Sequence, residues 1–306
     1  MSQAETNGAF IALKTDRLAV EIAVPGANYR RTRFDWTGWI QQVTLDGEST
    51  FCVDESLVPG EGTGGGGLCN EYGNGEPIGY AECGVGERFP KLGVGLLTRP
   101  DDGRYDFFRA FELEPFETTY EMSADGRSVR FRTAAKPCNG YAADIVKKVS
   151  VDGNRLNVAY ELRNVGDKPI RTSEYNHNFV RINGADIGPD YELTLPIASA
   201  FDYTKPEERP IVAQEGNKLR WLRTPEAGES FYALAREFEP IGADRPSWTL
   251  VHKPSGAGMT ETLDRPLLRL AVWGQTHVAS PEMFIDIDAQ PGETLRWNRA
   301  YEFFRG

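Results

Sequence analysis

Thirty-two glycines and 19 prolines break the 306-residue chain roughly every 8 to 15 residues, and the segments between them are short and rich in Val, Ile, Phe, Tyr and Trp. Glycine costs backbone entropy inside a regular element, and proline removes a backbone donor, so punctuation this frequent leaves little room for long helices. It predicts a succession of short strands joined by turns. Strands are expected at 18–24, 31–36 and 39–45, the last followed by the turn signal Asp46-Gly47. Two hairpins stand out: 118–122 with 129–133 around Asp125-Gly126, and 145–151 with 156–162 around Asp152-Gly153-Asn154. In the arm 156–162, Leu156, Val158, Tyr160 and Leu162 alternate with Asn157, Ala159 and Glu161, as an antiparallel strand with one buried face requires. Further strands are expected at 171–181, 191–195, 231–235, 248–253, 267–273, 283–287 and 295–304.

The total is about 17 to 20 strands with no alternating β–α units, which excludes a doubly wound sheet or an α/β barrel. So many antiparallel strands predict an all-β chain of two large sheets packed face to face. No linker or shift in composition divides residues 1–306, so a single domain is expected. The segment 60–67, with six glycines, reads as a long loop; it lacks the lysine and Ser/Thr of a phosphate-binding loop.

Charge narrows the partners. The net charge is −11 with no basic run, so neither nucleic-acid phosphates nor an anionic membrane surface is an expected partner. The apolar runs are far shorter than the roughly 20 residues a transmembrane helix needs. Residues 1–10 show no basic segment followed by an apolar one, and a chain beginning at its native methionine is then expected in the cytoplasm. Cys52, Cys69, Cys83 and Cys138 form no CxxC pair and read as reduced, mostly buried thiols.

Three places carry candidate chemistry. There are only three histidines, and His177 sits in Ser173-Glu174-Tyr175-Asn176-His177-Asn178-Phe179, a strand-like segment crowded with polar side chains. A buried sheet face tolerates such crowding only with partners, whereas a concave face holding a polar ligand suits it. His252 and His277 stand in weaker contexts. A second cluster, Glu282 with Asp286 and Asp288, places Glu282 at the start of a predicted strand, with Asp286 on the same face. A carboxylate there can serve as a general base. The third is the long, aperiodic stretch 69–99, with Glu71, Tyr80, Glu82, Glu87, Arg88 and Lys91, which reads as a functional loop. Glu71, Glu82, Glu87 and His177 have metal-donor atoms but no ligand spacing, so no metal and no cofactor is expected.

Residues 156–196 resemble the aldose 1-epimerase (galactose mutarotase) superfamily, with Asn176-His177 and Phe179 matching that family's histidine motif and Val180 replacing its second aromatic. The C-terminal part is similar too: Leu270-Ala271-Val272-Trp273, then Glu282, then Pro291-Gly292-Glu293 and Tyr301-Glu302-Phe303. The resemblance implies a galactose mutarotase-like β-supersandwich, mostly antiparallel, a small-molecule sugar substrate, His177 as general acid and Glu282 as general base. Mutarotation takes a proton from the anomeric hydroxyl and gives one to the ring oxygen, and the expectation is an acid and a base on opposite sides of the pyranose, within about 12 Å of each other. Asn176, Tyr80 and Trp273 are expected to contact the sugar. The family's earlier sugar-binding histidine is missing, since residues 1–176 contain none. The segment 86–93 occupies its place, so Arg88 or Lys91 is expected to supply the donor and to favour an acidic or phosphorylated sugar. The alternatives are another sugar isomerase or lyase using groups from 69–99, and a non-catalytic carbohydrate-binding module.

Overall fold

A computed structural model describes residues 10–197, 201–203, 210–236 and 245–306. Apart from Phe10, the opening segment read above as lacking a secretion signal lies outside the described residues. Among them, regular structure is all β except for one 3-10 turn at Ile182–Gly184. No helix among them is long and apolar enough to cross a membrane.

Two ten-stranded antiparallel sheets face each other. The first runs Phe10–Lys14, Leu18–Ala23, Ile40–Leu45, Leu68–Tyr72, Ile170–Asn178, Val278–Ala289, Arg269–Gln275, Ser230–Ala235 and Phe201–Tyr203, with Ser49–Thr50 beside Ile40–Leu45. The second centres on Thr294–Arg305, which lies between Arg155–Asn164 and Ala257–Leu263. Arg88–Lys91, Gly95–Thr98 and Leu113–Pro115 form a separate three-stranded sheet. The space between the large sheets is filled by one apolar cluster drawn from both, for example Val20, Leu68, Val158 and Phe303.

Both expected hairpins form, as Thr118–Met122 with Ser128–Thr133 and as Ala143–Asp152 with Arg155–Asn164. In the second, Gly153 has φ +52°, a left-handed value that a side chain would strain. Two expectations fail locally. Residues 31–36 are irregular rather than a strand, because their backbone donors serve distant partners: Asp35 N–H bonds Asn70 O and Trp36 N–H bonds Gly93 O. The strand expected at 283–287 spans Val278–Ala289, so Glu282 lies within it rather than at its start, and Asp286 is exposed.

Candidate active site

Two neighbouring strands of the first sheet build the site: the histidine strand, Ile170–Asn178, and the glutamate strand, Val278–Ala289. Their register pairs Tyr175 with Phe284, and an isolated bridge pairs Val180 with Ala279. That register sets His177 opposite Glu282. Directly opposed residues on antiparallel strands project to one face with their Cβ atoms only about 5 Å apart. The side chains therefore meet: His177 Nε2 is 3.3 Å from Glu282 Oε1. The proximity expected from the sequence is present, but not the opposed placement, since nothing the size of a sugar ring fits between these atoms.

Alternation along the histidine strand sorts its polar crowd. Tyr175 and His177 line an open cleft of about 990 Å³, with Arg33, Trp273, Tyr232 and Glu282. Its size matches the roughly 300–1,000 Å³ of ligand sites. Glu174, Asn176 and Asn178 turn between the sheets and are buried there. Phe179 stacks on the His177 ring at 3.9 Å, and Trp273 meets it edge-on at 5.4 Å. Ser280 completes a circuit: its Oγ lies 2.9 Å from His177 Nδ1 and donates to Glu282 Oε1 at 3.3 Å.

Burial governs the protonation of the pair. It pushes the Glu282 carboxyl up to about 8, against the opposing pull of Arg33, Arg269 and the Ser280 hydroxyl. The same burial, aided by Arg33, holds His177 well below its ordinary range. At neutral pH the contact is thus a neutral hydrogen bond rather than an ion pair. A hydrogen assignment that satisfies the circuit has Glu282 donating to Nε2, Nδ1–H donating to Ser280, and Ser280 donating back to Glu282. The pair holds one transferable proton beside one vacant base.

Among the described residues the arginine lining the cleft is Arg33, which the sequence reading missed. Its Nε donates to Glu71 Oε2 at 3.0 Å, one Nη to Thr63 Oγ1 at 3.1 Å and the other to the Tyr175 hydroxyl at 3.1 Å. Tyr175 donates to the same Glu71 oxygen at 2.8 Å. The Arg33 guanidinium also lies 4.1 Å over the Phe107 ring. The glycine-rich loop forms one wall, with Gly62 at the cleft and the Glu55 carboxylate accepting from Thr63 and Gly65. His277, also at the cleft, tethers this loop through Nε2 and the Glu55 carbonyl at 3.1 Å.

Several expected contacts are corrected. Arg88 is half-exposed in the small sheet and bonds Glu114. Lys91 is fully buried behind the cleft, its Nζ on Glu71 Oε1 at 2.9 Å and on the Tyr72 carbonyl at 2.7 Å. Neither lines the cleft. Asn176 faces away, between the Tyr160 and Tyr301 hydroxyls. Tyr80 packs on Phe89 and Tyr105 and donates to the Gly103 carbonyl. The stretch 69–99 is mostly packed structure and touches the cleft only through Asn74. Of the expected substrate contacts, Trp273 is at the cleft. His252 lies on the other sheet, bonded to Ser255. Glu71, Glu82 and Glu87 do not gather around His177: Glu82 bonds Lys168 and Tyr141, and Glu87 bonds the Gly84 N–H.

The fold is that of the galactose mutarotase-like proteins. Among solved structures, the Slr1438 protein of Synechocystis is 12% identical, with a TM-score of 0.61 over 100% of this chain and 99% of that one. A galactose mutarotase-like protein from Lactobacillus casei is 16% identical, with a TM-score of 0.59 over 96% and 100%. One from Clostridium acetobutylicum is 9% identical, with a TM-score of 0.58 over 96% and 95%. No family model matches the sequence, and no curated protein matches it. At these identities the likeness defines the fold and leaves the chemistry to the side chains.

Proposed function

We propose that the cleft binds a reducing sugar and interconverts its anomers, with Glu282 and His177 exchanging the protons. The observation that carries this reading is the direct opposition of the two groups at 3.3 Å, with both side chains buried. The anomeric hydroxyl and the ring oxygen are bonded to the same carbon, so an acid and a base side by side reach both. The protonated Glu282 gives its proton to the ring oxygen while His177 Nε2 takes the one from the anomeric hydroxyl. The bond from carbon to ring oxygen breaks and a carbonyl forms. A carboxylate and an imidazolium are left side by side, each stabilising the other. After rotation, the ring oxygen adds to the opposite carbonyl face, and both protons return. The resting protonation makes Glu282 the acid and His177 the base, the reverse of the assignment the resemblance implies.

The reading is tested by magnetisation transfer between α and β anomer signals of a panel of aldoses. Glu282→Gln and His177→Asn should each slow exchange by about 10²–10⁴-fold. Sugar binding without exchange in the wild type would make the cleft a binding module. A lyase drawing on the stretch 69–99 has little support, because only Asn74 of that stretch reaches the cleft.

A further inference from the structure

Beside the cleft lies a smaller pocket of about 240 Å³, and Arg33, Phe107 and Phe108 border both. Arg30, Arg31 and Arg109 also line it, and among the described residues no carboxylate does, in a chain whose net charge is −11. How these guanidinium groups are held decides what the pocket suits. Arg30 donates through Nε to the Gly26 carbonyl at 2.8 Å. Arg31 donates to the carbonyls of Gly62 at 2.6 Å and Gly60 at 2.9 Å. Among the described residues neither Arg30 nor Arg31 forms an ion pair, so backbone carbonyls orient them without neutralising them. Arg109 shares its charge with Asp101 at 2.6 Å, both side chains being well exposed. Arg33 uses three of its five N–H groups on Glu71, Thr63 and Tyr175, which leaves one on each Nη.

We propose that this arginine pocket binds an oxyanion carried by the substrate, a phosphate or a carboxylate, so that the cleft takes an anionic sugar. The proposal rests on the sugar-site reading of the cleft and deepens it. Arginine forks match such groups with paired, charge-assisted hydrogen bonds. Arg33 spans both spaces and is close enough to act electrostatically on both His177 and Glu282, so an anion held there would keep the reacting ring against the pair. The preference expected from Arg88 and Lys91 would then come from different residues.

Calorimetric titration of D-glucose, D-glucose 6-phosphate, D-glucuronate and inorganic phosphate into the folded protein tests this, with anomer exchange followed in parallel samples. At least one anionic sugar should bind about tenfold or more tightly than glucose, because charge-assisted contacts are the stronger kind. That advantage should shrink as salt is raised. The phosphate and carboxylate arms show which anion the pocket takes. The advantage should fall towards parity in Arg30→Gln/Arg109→Gln, which spares the loop anchor Arg31, and in Arg31→Gln, provided thermal melting shows that each variant folds. Equal affinity for neutral and anionic sugars in the wild type, no binding of any anion, or an advantage that survives the double variant would overturn the proposal. Anion-selective binding without anomer exchange would retain the pocket and overturn the anomer-exchange reading instead. Exchange of neutral sugars without anion preference would do the reverse.

Discussion

At the residue scale, the Glu282–His177 contact makes opposite demands on pH. Anomer exchange should be fastest where the pair holds one proton and should fall as pH rises through about 8, where Glu282 loses it. A pH–rate profile on any exchanging sugar checks this; a rate still rising above that point would contradict the protonation described here. Stability follows the same groups. The folded protein holds the Glu282 proton more tightly than the unfolded chain does, so this group's contribution falls as pH rises from the ordinary carboxylate value towards 8. His177, depressed in the folded state, acts the other way and costs stability as pH drops below its ordinary value of 6.5. Glu282 is the group of this pair that titrates in the folded state between pH 6.5 and 8. The wild type should lose roughly 2 kcal/mol more than Glu282→Gln over that window, as read from urea unfolding at both ends. His177 and Glu282 were legible because each sits in a segment with a recognisable pattern. Arg33 was not, because 31–36 reads as an ordinary strand and the partners that hold it lie far away in sequence.

At the scale of elements, the histidine strand is a two-faced ladder. Its cleft face works only if its other face is held, and Asn178 does much of the holding. Its Nδ2 donates to the Pro281 carbonyl at 2.7 Å and to Glu261 Oε2 at 2.9 Å, and its Oδ1 accepts from the Tyr301 hydroxyl at 3.0 Å. The Pro281 bond fixes the glutamate strand one residue before Glu282. Asn178→Ala would remove the donor to the buried Pro281 carbonyl and one partner each from Glu261 and the Tyr301 hydroxyl, which keep Trp248 and Asn176, and a buried group left unsatisfied costs about 1–3 kcal/mol. The expected result is a loss of at least about 2 kcal/mol in chemical unfolding, together with slower anomer exchange. A loss below about 0.5 kcal/mol would mean the ladder is not held this way. Hairpins such as 118–133 and 143–164 were readable because turn signals separate their strand-like arms, and in 156–162 strict alternation agrees. The glutamate strand was read as 283–287, whereas it begins at Val278 and contains Pro281. That proline is tolerated inside the strand, whose register continues on both sides, Val272 with Pro281 and Leu270 with Met283.

For the whole molecule, the interface between the sheets is mainly apolar, crossed among the described residues by a few polar and charged groups that pair there. Arg299, on the second sheet, donates from one Nη to Glu261 Oε1 at 2.6 Å and from the other to Glu174 Oε2 at 2.8 Å and the Met283 carbonyl at 2.9 Å. Glu174 belongs to the histidine strand, so this one side chain joins the second sheet to both strands of the site. All three side chains are fully buried. Burial pushes the Glu174 carboxyl up while Arg299 pulls it back down. Replacing Arg299 by Met keeps much of the apolar volume but leaves two carboxylates without their cation, a change that typically costs about 3–5 kcal/mol. The loss should depend on pH in a definite direction. Without Arg299, burial acts on the Glu174 carboxyl with less opposition, so its folded value, already raised, rises further above the unfolded one. The variant should then retain more stability at low pH and lose it as pH rises. Comparing urea unfolding of the wild type and Arg299→Met at about pH 5 and about pH 8 separates the two contributions, since the Glu282 effect is common to both proteins. A difference that widens with pH would assign the loss to the stranded carboxylates. A difference that stays constant would assign it to packing alone and would remove the charge bridge from this account of how the sheets are joined.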